Sequence, residues 1–193
     1  MRDTRSEINS YDPIQRDFHW LMAAVILTAI CVGLYAVNLP KEDATRGFWF
    51  GIHKSLGMTA FFLAILRIGW RLLHDTPRYR VPLGRFTRLA ASATHAALYV
   101  LMVAVPIGGY VLSTASAHPV SWFGLYTFPS VVPVDKSLAK LAENAHVTGA
   151  FILIMVIALH IVAAIWHHWF KRDEVMARMA PRLARIPAKR SDV

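Results

Sequence analysis

Four apolar stretches, each long enough to cross a bilayer, constrain this chain more than any other feature. They run Phe18–Asn38, Phe48–Trp70, Leu89–Leu112 and His146–Phe170, against a need for about 20 residues per span. In lipid every backbone polar group must be bonded within the protein, so runs of this length predict helices. Hydrophobic residues make up 55% of the 193 and charged ones only 17%, which fits one membrane bundle rather than two domains. The expected fold is an all-α integral membrane protein, a four-transmembrane-helix bundle over residues 18–170. A polar leader over 1–17 precedes it and a basic tail over 171–193 follows. The leader lacks the short apolar region and small-residue cleavage site of a signal peptide, so the first stretch reads as a retained helix.

The net charge of +9 is distributed as a membrane topology requires, not as a nucleic-acid surface. Lys and Arg gather in the leader (Arg2, Arg5, Arg16), between Arg67 and Arg88, and from Lys171 to Arg190. The first connection has only Lys41, Arg46 and Lys54 around it, and the third only Lys136 and Lys140. By the positive-inside rule both termini and the second connection are cytoplasmic. No nucleic-acid partner is expected; membrane lipid is. One cysteine, Cys31, falls inside the first span, which excludes a disulfide framework and predicts a small buried hydrophobe. The short polar connection NLPKEDATRG makes spans one and two antiparallel neighbours. The second connection carries the breakers Pro77, Pro82 and Gly84, and Pro106 with Gly108 and Gly109 predicts a kink or end in span three. The third connection, from Ser113 to Ala145, is long and rich in Trp, Phe, Tyr and Pro. Its aromatic half is expected to cap the outer face, and its last part to extend the fourth helix outward.

Nine histidines are present, and depth sorts them. His146 and His160 are fourteen residues apart, close to four helical turns, so they share a face about 21 Å apart along the axis. His53 lies at the level of His146 near the outer face. His19 and His95 lie at the level of His160 near the cytoplasmic face. Ionisable groups at membrane depth are costly and mark function. Two imidazoles at one level of an antiparallel bundle suit bis-histidine haem ligation, one from each side of the porphyrin. Zinc fits less well, since a closed site wants four ligands and usually cysteine. Depth alone does not choose between His19 and His95 for the inner pair. His167, one heptad below His160, falls on the same face, at the level of a haem propionate or quinone. His168 points elsewhere, His74 reads as a solvated loop residue and His118 as structural.

These residues also carry a family resemblance. FHW in span one, IHKSLG in span two, the fourteen-residue histidine interval and HHWF in span four resemble the bacterial cytochrome b561 family. The likeness covers nearly all of Asp17–Pro181 and includes ILRIGWRL, the ALYVLMVAVPIGG run and PVSWFGL. It implies two haem b groups, with His53 and His146 ligating the outer one and His19 and His160 the inner one. His95 then becomes a quinone-site residue.

Within that family the resemblance implies a superoxide:ubiquinone oxidoreductase of the bacterial inner (plasma) membrane. Superoxide would be oxidised at the outer, periplasmic face and electrons passed through both haems to ubiquinone. Lys54 would attract the anion, and His95 and His167 would bind quinone and relay protons. Arg67 and Arg71 are placed either for propionates or for snorkelling to the interface. The alternative is a cytochrome b electron-transfer subunit serving a redox partner protein such as a dehydrogenase, a hydrogenase or a periplasmic cytochrome. A haem-free scaffold or transporter would leave two matched histidine layers to chance.

Overall fold

The computed structural model describes residues 10–74 and 84–181. Arg2 and Arg5 of the leader, Pro77 and Pro82 of the basic connection, and the tail from 182 to 193 lie outside the described residues. Four helices form the body: α1 (Pro13–Asn38), α2 (Arg46–Leu73), α3 (Arg85–Ala115) and α4 (Lys136–Trp166). All four are long and apolar enough to cross a membrane. The starts of α1 and α4 are capped as their sequences allow. The Asp12 carboxylate accepts from Gln15 N at 3.0 Å and Pro13 opens the first turn; the Asp135 carboxylate accepts from Leu138 N at 2.8 Å. The start of α4 at Lys136 agrees with the expected outward extension of the fourth span.

The bundle is turned inside out relative to a water-soluble one. Leu27, Leu34, Leu66, Met155, Leu159 and Val162 are exposed around the outside, because acyl chains are as apolar as they are and nothing drives them inward. The buried centre is small: Met22, Ile26, Ala60, Ala64, Met102 and Leu153. Ala60 and Ala64 let α2 approach its neighbours closely. Helix α1 packs on α2, α2 on α3 and α3 on α4. Among the described residues, no Cα of α4 comes within 8 Å of one in α1 or α2.

Three expectations are corrected. Of the kink or end expected at Pro106 and Gly108-Gly109, the end does not occur: helix α3 runs through Pro106 to Ala115, since lipid offers no partners for a broken backbone and the packed neighbours carry the helix through. Cys31 is exposed, not buried, since its face of α1 is turned to lipid, where a thiol is at no disadvantage. The aromatic part of the third connection does not cap the bundle. It forms an antiparallel hairpin, β1 (Val120–Trp122) and β2 (Tyr126–Phe128), paired Val120↔Phe128 and Trp122↔Tyr126. The hairpin lies against the sides of α2 and α3, and we call that end of the molecule the hairpin end.

At the opposite, tail end, α4 passes into a π-helical turn, His167–Lys171, closed by Arg172 in the left-handed region at φ 51°. The chain then doubles back under α1. Tyr11 N donates to Arg178 O at 3.2 Å, and Trp20 Nε1 donates to Met179 O at 3.2 Å. The Arg178 guanidinium is buried, 5.1 Å from the centre of the Tyr11 ring.

The hairpin is latched by Ser55, which is 1% exposed. Its hydroxyl accepts from Phe123 N at 2.9 Å and reaches Ser121 O at 3.0 Å and Gly51 O at 2.9 Å. Ser55→Ala strands the Phe123 N–H and the Ser121 carbonyl. A stability loss of about 1–3 kcal/mol is expected, read by chemical unfolding in mixed micelles; an unchanged midpoint would show that the latch is idle.

Candidate functional site

The histidines of the sequence meet in two groups. At the hairpin end, His53 of α2 faces His146 of α4, with ring centres 6.1 Å apart and planes at 79°. At the tail end, His19 of α1 faces His160 of α4 at 6.2 Å and 66°. A metal held between two imidazole nitrogens sets the ring centres roughly 6 Å apart, from two bonds of about 2 Å and half a ring on each side. Both separations match that figure. His95 of α3 is also brought to the tail-end group, 5.5 Å from His160 and with an exposed edge. Both His19 and His95 thus stand beside His160, at 6.2 and 5.5 Å between ring centres.

The hairpin-end pair is held by the backbone. His53 Nδ1 donates to Ala29 O at 2.9 Å, and His146 Nδ1 donates to Val105 O at 2.9 Å. A neutral imidazole with its proton on Nδ1 keeps a lone pair on Nε2, the tautomer a metal ligand needs. Glycine lies four residues beyond each carbonyl, where the imidazole ring lies. A Cβ on Gly33 would stand 2.7 Å from the His53 ring, and one on Gly109 would stand 2.9 Å from the His146 ring. The same carbonyl-and-glycine cradle thus occurs once in α1 and once in α3. The sequence reading missed both cradles; the glycines inside apolar helices were their only trace.

The tail-end group is electrostatically different. Arg67 Nη2 donates to His19 Nδ1 at 3.2 Å, and its guanidinium lies 5.7 Å from the centre of the Tyr99 ring. Arg67 is fourteen residues beyond His53 on α2, so it shares the level of His19 and His160. Coordination through His19 Nε2 goes with a proton on Nδ1, and so with Arg67 turned to another acceptor. His167 pairs with Asp173, whose carboxylate takes its Nδ1 hydrogen bond. Asp173 had no place in the sequence reading, because the π turn that brings it to His167 leaves no periodic signal.

The remaining expected residues are also placed. Lys54, adjoining His53, donates to Pro119 O at 2.9 Å and Ser113 Oγ at 3.3 Å, so it ties the third connection to α2. Outside the spans, the Asp43 carboxyl is held below its ordinary range by hydrogen bonds from the Thr45 side chain and backbone. His74 ends α2, exposed and stacked on Trp70 at 4.0 Å. His118 is exposed beside the hairpin, with its carbonyl accepting from Ser113 Oγ at 2.8 Å. No cluster of three or more His, Cys, Asp or Glu side chains that could hold a metal ion occurs among the described residues.

A four-helix membrane bundle with facing histidines at two levels has the architecture of a b-type membrane cytochrome. A family model for prokaryotic cytochrome b561 matches residues 10–182, and the chain belongs to that family of electron-transfer membrane proteins, which bind haem b. It is 32% identical over 169 residues to "Cytochrome b561 homolog 2" of Escherichia coli (strain K12), covering 88% of this chain and 90% of that one. It is 28% identical over 179 residues to "Cytochrome b561 homolog 1" of the same organism, covering 91% and 99%. It is 27% identical over 175 residues to "Probable superoxide oxidase CybB" of Yersinia pestis, covering 89% and 96%.

The cradles give a direct test. Gly33→Ala and Gly109→Ala should each lower haem content and alter the reduced b-type spectrum. Gly57, with nothing within 4 Å of an added Cβ, should accept alanine silently. Equal spectra for all three variants would contradict the cradle.

Proposed function

We propose that the chain is a di-haem electron conduit that oxidises superoxide at the hairpin end and reduces ubiquinone at the tail end. His53 and His146 hold one haem b; His19 and His160 hold the second. The observation that carries this reading is the repetition of one ring separation, 6.1 and 6.2 Å, at two levels about 21 Å apart. The excess of basic residues at the tail end supports a cytoplasmic location for that end, in a bacterial inner membrane. The likeness to a protein named as a probable superoxide oxidase, over most of both chains, supports the donor.

Haem b supplies one-electron iron chemistry at each histidine pair. The chain's own residues set the rest. The cradles fix the rings of His53 and His146 before any electron moves. Lys54 places a cation beside His53 and draws an anionic donor to the hairpin end. At the tail end His95, 5.5 Å from His160, offers an imidazole to a quinone carbonyl and a route for protons. His167 and Asp173 stand at the same end as a hydrogen-bonded acid–base pair, available for proton exchange with the cytoplasm. The balance is two superoxide anions giving two O2 and two electrons, and one quinone taking those electrons with two protons to become quinol.

Purified, haem-loaded protein should reduce a short-chain ubiquinone with a superoxide source and no partner. The rate should fall with added salt. Lys54→Gln should lower the low-salt rate several-fold and flatten the salt dependence, and Lys54→Arg should restore both. Absence of partner-free turnover, with a dehydrogenase co-purifying, would select the electron-transfer subunit instead.

A further inference from the structure

We propose that the β1–β2 hairpin is embedded in the membrane. Its exposed side chains Phe123, Leu125 and Tyr126 contact lipid acyl chains beneath the headgroups at the hairpin end. Depth is the first ground. Trp49 stacks edge-on with Tyr35 of α1 at 5.0 Å, and Trp70 donates to Asp12 at 3.5 Å. These two aromatic girdles of α2 are twenty-one residues apart, about 31 Å along a helix, which matches the hydrocarbon thickness of about 30 Å.

The hairpin meets α2 well inside that interval. Ser55, its backbone anchor, is six residues past Trp49, about 9 Å in. Trp122 Nε1 donates to Thr59 Oγ1 at 3.0 Å, ten residues past Trp49 and so about 15 Å in. Phe128 packs on Phe62 at 6.0 Å between ring centres and on Tyr110 of α3 at 6.4 Å. A loop lying in water above the bundle would not reach any of these residues.

The second ground is the backbone. Non-helical chain survives at membrane depth only if its polar groups find partners in the protein. Ser55 serves Ser121 O and Phe123 N. Lys54 serves Pro119 O, Leu125 N donates to Trp122 O at 2.9 Å, and the strands pair with each other. Phe123 adopts the left-handed region at φ 50° and Gly124 at φ 75°. The non-glycine member of that turn carries strain, which its bond to buried Ser55 offsets. Phe123, Leu125 and Tyr126 make most of the outward surface, Leu125 at 79% exposed, with Thr127 the exposed polar side chain of the strands. Such a surface, with the inner edge of its backbone bonded to the protein, suits hydrocarbon.

Spin labels at single cysteines in proteoliposomes test this. Cys31 of α1, exposed on a span, is the lipid reference in the wild-type chain. Leu125→Cys and Tyr126→Cys, each with Cys31→Ser, carry the label on the hairpin, and a wild-type reduced spectrum certifies each fold. The expected result is relaxation by oxygen with protection from a water-soluble nickel chelate, as at Cys31. Tyr126→Cys decides should the first variant not assemble. Relaxation by the nickel chelate at either site would place the hairpin in water and overturn the proposal. Protection from both agents would mean cover by protein, a second copy included, and would overturn it equally.

Discussion

His53 and His146 each give their Nδ1 proton to a main-chain carbonyl at 2.9 Å, and most of the hairpin end is arranged around that pair of bonds. A carbonyl in a helix cannot move without moving the helix, so each ring is fixed to a neighbouring helix rather than to a flexible side chain. The bond also settles the tautomer and leaves the Nε2 lone pair free for a ligand role. It is possible only because Gly33 and Gly109 have no Cβ where the rings lie. The pairings α1 with α2 and α3 with α4 follow the same logic, since each cradle lies on the chain neighbour of the helix carrying its histidine.

Lipid imposes the second constraint. Without a hydrophobic drive among helices, the bundle relies on small residues, on Ala60 and Ala64 in particular, and on hydrogen bonds between elements. Polar side chains in α2 accordingly serve neighbouring backbone. Lys54 and Ser55 hold the hairpin, Thr59 takes the Trp122 indole, and Arg67 meets His19. Helix α2 thereby links the hairpin to the tail-end histidine group.

The gross fold was legible from length and hydropathy, because membrane thickness leaves few ways to fold four twenty-residue apolar runs. The histidine layers were legible for a related reason: helical rise converts sequence interval into depth, so His53 with His146, and His160 with either His19 or His95, could be read without coordinates. The choice between His19 and His95 is not readable from depth, because the structure brings both rings beside His160. What escaped was whatever depends on local backbone form. Gly109 looked like a helix breaker and is a ring cradle. The aromatic connection looked like a cap and is a hairpin on the side of α2, fixed by a serine that no periodicity distinguishes. Asp173 reaches His167 through a π turn that a 3.6-residue period does not anticipate.

Haem stoichiometry of the purified chain, by pyridine haemochrome and redox titration, tests the two-layer account most directly. The account predicts two b-type haems per chain. His53→Ala and His146→Ala should each remove the same one, and His19→Ala the other. A single haem in the wild-type chain, or loss of different haems from the His53 and His146 variants, would contradict it.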